Sequence, residues 1–143
     1  MIEKQPSSIE TRLATTLDQA RVDAAAEPAI EPDLPIVDPH HHLWDYPSHR
    51  YLLPELLADT GTGHRIEKTV FIECGVFYRA GADPGMEVLG EIEFVNGVAA
   101  MAASRQYGDT LACAGIVGTA DLTRGEGVEE VLSQQIAAGG GRV

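Results

Sequence analysis

Apolar positions change their spacing along this chain, and each change marks an element. Ile9, Leu13 and Leu17 recur every four residues, with Ser7 and Glu10 at capping-box spacing around the start. The pattern predicts a helix over 7–26. Pro28, Pro32 and Pro35 end it and form a stiff linker, since proline lacks the amide a helix needs. Three short apolar runs follow: LPIVDPH (34–40), KTVFIECG (68–75) and LACAGIVG (111–118). Runs this apolar suit strands of a parallel sheet covered on both faces. Between the second and third, Val88, Ile92, Val95, Ala99 and Ala102 step by four, three, four and three, a helical core stripe. Beyond the third, Val128, Leu132 and Ile136 predict another helix, stopped by glycines 139–141.

Strand and helix thus alternate, which argues for an α/β fold with right-handed crossovers. Residues 1–34 read as a helix and proline-rich linker, and 35–143 as the main domain. The latter span holds about three βα units at ~30 residues each, whereas a closed eightfold barrel needs roughly 250 residues. GGGRV at 139–143 reads as the opening of a fourth strand. The expectation is a chain truncated before strand 4, because a natural boundary would show a polar linker.

Composition narrows the possible partners. The 143 residues are 44% hydrophobic and 22% charged, an ordinary globular balance. Twenty-two acids against ten bases give a formal charge of -12 with no basic cluster to offset it. Such a surface repels phosphate backbones and bare anionic membranes, so neither nucleic acid nor membrane is an expected partner. No run approaches the ~20 apolar residues of a membrane span. MIEKQPSSIE lacks the features of a signal peptide, and the expected location is cytoplasmic. Cys74 and Cys113 lie inside strand-like runs and read as buried free thiols.

The candidate chemistry sits in DPHHHLWD (38–45). All five histidines fall within residues 40–64. In an extended strand His40 and His42 share a face, about 6.6 Å apart along it, so their rings would converge on one ion. Asp38 has the same parity and would orient the site from behind, while His41 points the other way. A polar loop is the competing reading of an H-x-H element. The apolar strand before it, Asp38 and the Trp-Asp after it favour a metal site. A catalytic zinc site usually takes three protein ligands, and Glu73, at the end of the second strand, is the candidate carboxylate to join the pair. A solvated strand end is the alternative for Glu73. His49 and Arg50 follow the first strand, where they would hold an anionic substrate group or simply line a solvated loop. His64 and Arg65 precede the second strand, at the opposite end of the sheet. Glu87, Glu91 and Glu93 read as a solvated acidic helix face.

LPIVDPHHHLWDYP, KTVFIECG and EIEFVNGVAAM with AGIVGTADL resemble the lactonase-like branch of the amidohydrolase superfamily, the TIM-barrel metal-dependent hydrolases. The likeness spans essentially the whole chain. It implies the N-terminal part of a (β/α)8 TIM barrel, with its site at the C-terminal ends of the strands. The implied activity is hydrolysis of a lactone or related carboxylated small molecule through a metal-activated water. By the same resemblance His40 and His42 match the first ligand pair, for zinc or manganese, and some relatives work without a tightly held metal. The ligands and aspartate of later strands are missing from this chain, so at most residual activity is expected of it alone. The alternative is a non-catalytic half barrel that works by self-association or with a separate second half, since an open sheet leaves a raw edge and an apolar face.

Overall fold

The computed structural model describes residues 19–47 and 49–143. Most of the helix expected over 7–26 lies outside the described residues, which include α1, Gln19–Ala24. The remaining elements are β1 (Pro35–His41), β2 (Trp44–Tyr46), β3 (His49–Tyr51), α2 (Leu53–Thr60) and β4 (Arg65–Ile72), followed by α3 (Leu89–Ala103), β5 (Leu111–Val117) and α4 (Gly127–Ala138). A single 3-10 turn, Leu122–Arg124, precedes α4.

The three apolar runs are the three strands of one parallel sheet, in the order β1-β4-β5. This is an α/β architecture with its strands in chain order. The β1–β4 connection also carries a β2–β3 hairpin and α2, neither of which the apolar spacing of the sequence announces. Pro54 stands in the first turn of α2, where a missing amide costs nothing, and the Glu55 carboxylate accepts the Leu52 N–H at 2.9 Å.

Helix α3 packs as its stripe predicts. Val88, Ile92, Val95, Ala99 and Ala102 are all buried, and the last four meet Leu43, Leu53, Leu56, Phe71 and Ile116 in one core. Each large apolar side chain so buried contributes about 1.5–3 kcal/mol. The sheet is covered less fully than expected. Thr69 and Phe71 on β4 are fully buried, whereas Val70 and Ile72 between and beyond them are only partly covered. Val37 is 55% exposed and Val117 47%, so residues on both outer strands remain uncovered.

Helix α4 differs from its predicted orientation. Val131 and Gln135 are the buried residues, while Leu132 and Ile136 are exposed. The deciding contact is polar: Gln135 Nε2 donates to the Thr119 carbonyl at 2.7 Å, tying α4 to the loop after β5. Turning Ile136 inward would break that bond and bury its carbonyl partner unpaired. After α4 the chain turns through Gly140 and Gly141, both at positive φ, which glycine adopts without strain. Arg142 then lies on the outer edge of β5, its carbonyl accepting the Ile116 N–H at 2.9 Å. Asn96 of α3 secures this corner, donating to the Ala138 carbonyl and accepting from Arg142 Nη1 at 2.7 Å.

The orientation of α4 gives a direct test by urea denaturation. Val131→Ala is expected to lower stability by about 2 kcal/mol through lost burial and a cavity. Ile136→Ala is expected to change it by less than about 0.5 kcal/mol. The reverse ranking would mean that the apolar stripe, not Gln135, faces the core.

Candidate functional site

Strand β1 does not run straight into its histidines. Asp38 pairs with Thr69 and His41 with Phe71, so three steps along β1 match two along β4. The extra residue makes a bulge, a device that re-aims side chains at strand ends. Asp38 closes it, its Oδ1 accepting the His40 N–H at 3.0 Å. Asp38 thus holds the backbone of the bulge, where the sequence suggested a carboxylate behind the imidazoles.

His40 and His42 come together as their parity predicts. Their Nε2 atoms are 3.2 Å apart and the rings meet edge to face, 89° between planes. His42 Nδ1 is 2.7 Å from the Ile72 carbonyl at the end of β4. A carbonyl only accepts, so Nδ1 carries the proton and donates, which leaves Nε2 bare to accept from His40 Nε2 or to face an ion. The separation suits shared coordination: two imidazoles at ~2.05 Å from a tetrahedral ion stand about 3.3 Å apart. The pair fits as two ligands. Among the described residues, however, no group of three or more His, Cys, Asp or Glu side chains is placed to hold an ion. Glu73 is therefore not gathered with His40 and His42 into a three-donor set.

His41 turns the opposite way and is 8% exposed. Its Nε2 lies 2.8 Å from Thr69 Oγ1, its Nδ1 faces the His42 carbonyl at 3.4 Å, and its ring packs edge-on against Phe71. Burial holds its pKa below the ordinary imidazole value, against the pull of the His42 carbonyl and of Asp38.

His49 and Arg50 are strand residues of the hairpin, not of an open loop. Tyr46 pairs with His49, Asp45 with Arg50 and Trp44 with Tyr51. The Trp44 ring lies 6.3 Å from His42 and 5.5 Å from His49, forming an aromatic wall beside the pair. Arg50 Nε and Nη2 both donate to Glu55 Oε1, at 3.1 and 2.7 Å. That pairing raises the guanidinium pKa and lowers that of Glu55, and it ties the hairpin to the start of α2.

Glu73 continues the sheet one residue past β4, its N–H donating to the Val117 carbonyl at 2.9 Å. The segment that follows is held by a residue the sequence reading misplaced. Glu91 is 1% exposed, and its Oε1 accepts the N–H groups of Cys74 and Val76 at 3.0 and 3.1 Å. It is a buried clamp rather than part of a solvated face. Its signal was present in the sequence, because Glu91 stands three residues after Val88 and four before Val95, on the apolar stripe. Around it, Arg79 pairs with Glu93, the Arg79 N–H donates to the Glu87 carbonyl, and Phe77 stacks on Phe94 at 4.1 Å between centroids. A side chain on Gly90 would collide with the Phe77 carbonyl, so the loop closes directly onto the helix backbone. Phe77 itself sits at φ 56, a strained conformation that this network supports.

Both thiols are free. Burial and the nearby Glu91 charge push Cys74 up to about 12, and burial does the same for Cys113. His64 and Arg65 lie at the start of β4, as expected, with Arg65 paired to Glu67 at 2.6 Å. No helix among the described residues is long and apolar enough to cross a membrane. Comparisons with protein families, with curated proteins and with solved structures return no match for this chain.

Two measurements follow from these contacts. Glu91→Ala leaves two buried amides unpaired and is expected to cost about 3 kcal/mol, read by thermal or urea unfolding, with Glu91→Gln milder because it keeps an acceptor. A raised thiol pKa means the folded state keeps protons that the unfolded chain releases near pH 8.5. Stability from this source is therefore intact below that pH and falls as pH climbs toward 12. At pH 8 both thiols should react with a disulfide reagent on the order of a thousandfold more slowly in the folded than in the urea-unfolded chain.

Proposed function

We propose that this chain forms the first strands of a (β/α)8-barrel, metal-dependent hydrolase of the lactonase-like amidohydrolase kind. Its substrate would be a lactone or a related carboxylated small molecule. The observation that carries the reading is the His40–His42 pair at the C-terminal end of the first strand, with Nε2 atoms 3.2 Å apart. Parallel strands in chain order, joined through helices, are the arrangement such a barrel requires.

In this reading His40 and His42 hold a divalent ion, zinc or manganese, through Nε2. When bound, the ion supplies Lewis acidity toward a carbonyl and lowers the pKa of water. The chain's own residues prepare the place for it. Ile72 fixes the His42 tautomer through its carbonyl, the Asp38 bulge aims His40, and Trp44 walls the site on the hairpin side. Glu73, at the end of β4, is the carboxylate available to accept a proton. His49 lies beside Trp44 on the hairpin face toward the pair, whereas Arg50 alternates to the other face, where Glu55 engages it. The remaining ligands and general base would come from further strands.

A half barrel that works by self-association is the second reading, and the exposed Leu132 and Ile136 favour it. The two readings separate experimentally. Calorimetric titration with Zn²⁺ is expected to show one site, weakened at least tenfold by His40→Ala or His42→Ala and unaffected by His49→Ala. Equal binding by all four proteins would remove the metal reading. Sedimentation equilibrium checks association: a dimer that Leu132→Glu dissolves would support the second reading. Reading the coding frame beyond codon 143 tests the barrel itself, where continuation through strands carrying further histidines and a late aspartate is expected.

A further inference from the structure

We propose that Thr69 is a positioning residue for the His40–His42 pair, acting through His41 by a one-directional chain of hydrogen bonds that spans all three strands. The chain begins in β5. Lys68 pairs with Leu111 but Val70 with Gly115, so four steps of β5 match two of β4. Inside that double bulge Cys113 takes φ 54, the left-handed region that non-glycine residues rarely enter. The consequence is visible in its amide. Instead of joining the backbone ladder, the Cys113 N–H donates to Thr69 Oγ1 at 3.0 Å.

With a lone pair so engaged, the Thr69 hydroxyl has one proton to give, and the group facing it is His41 Nε2 at 2.8 Å. His41 Nδ1 faces the carbonyl of His42 at 3.4 Å, which only accepts, so the proton of the neutral ring sits on Nδ1 and the bare Nε2 takes the Thr69 proton. The opposite tautomer would set a bare Nδ1 against that carbonyl, lone pair to lone pair. His41 therefore holds the peptide that follows His42, while Ile72 holds the His42 ring from the other side. Both anchors of His42 trace back to β4, one through a backbone carbonyl and one through the Thr69 side chain. Thr69 is 0% exposed, so its hydroxyl is shielded from bulk solvent. The Cys113 thiol, 3.8 Å from the same His41 nitrogen, is a second, weaker donor to it.

The link to metal binding rests on the reading of His40 and His42 as ligands, whereas the tautomer assignment does not. The test therefore uses ¹⁵N NMR of the imidazole rings together with Zn²⁺ titration of the 143-residue chain. Wild type is expected to show His41 as the Nδ1–H form with a bare Nε2. Thr69→Val should shift the His42 ring signals and weaken Zn²⁺ at least tenfold, the usual scale for residues that orient ligands. Thr69→Ser, which keeps the hydroxyl, should bind within about threefold of wild type. An Nε2–H form of His41 in wild type overturns the proposal, even if Thr69→Val fails to fold. A folded Thr69→Val chain with unchanged His42 signals also overturns it. If wild type binds no Zn²⁺, the reading of His40 and His42 as a metal site of this chain fails, and unchanged or shifted His42 signals still decide the role of Thr69.

Discussion

Thr69 lies on the central strand with no exposed surface, and its hydroxyl is the polar junction of the sheet. Two groups of other strands meet there: the Cys113 amide, displaced by the β5 bulge, and the His41 ring of β1. Both are buried, and either would cost about 1–3 kcal/mol if left unpaired. A threonine satisfies both with one oxygen and one proton. The irregular registers of β1 and β5 are thereby compatible with tight parallel pairing to β4. They also free the next residues of β1 to turn toward the other side, where His40 and His42 meet.

A second buried polar group organises the other end of the same surface. The Glu91 carboxylate reaches from α3 to the Cys74 and Val76 amides, which follow β4 without strand partners. Hydrogen bonds to a carboxylate are stronger than those between neutral groups, and this one holds a loop containing a left-handed Phe77. Glu73 stands between that clamp and the sheet, its amide still in the ladder with Val117. The segment carrying it is fixed from both sides. The residues after β1 are held just as closely, with His42 on the Ile72 carbonyl and Arg50 on Glu55.

Charge and exposure set the context of this surface. The chain carries a net charge of -12, and among the described residues three arginines form ion pairs: Arg50 with Glu55, Arg65 with Glu67 and Arg79 with Glu93. These pairs are solvent-exposed and individually weak; Arg50–Glu55 ties the hairpin to α2 and Arg79–Glu93 ties the loop after β4 to α3, while Arg65–Glu67 lies within β4. The apolar stripe of α4 is the counterpart. Leu132 and Ile136 face outward because Gln135 and Val131 face in, which leaves apolar area that only a neighbour would cover.

Elements with a periodic signal are legible in the sequence. Three apolar runs became three parallel strands, and the Val88–Ala102 stripe became the buried face of α3. The parity of His40 and His42 placed their rings together, with His41 opposite. These are properties of local geometry, in which a period of 2 or 3.6 fixes the face of every side chain. The features that are not legible there depend on polar partners distant in the chain. Glu91 is buried because two amides of the β4 loop need an acceptor. Helix α4 is rotated because Gln135 finds the Thr119 carbonyl, and Asp38 serves a bulge that exists only once β1 meets β4. Hydrophobic spacing carries no information about which buried donor will lack an acceptor. That is settled when strands with unequal registers are brought side by side.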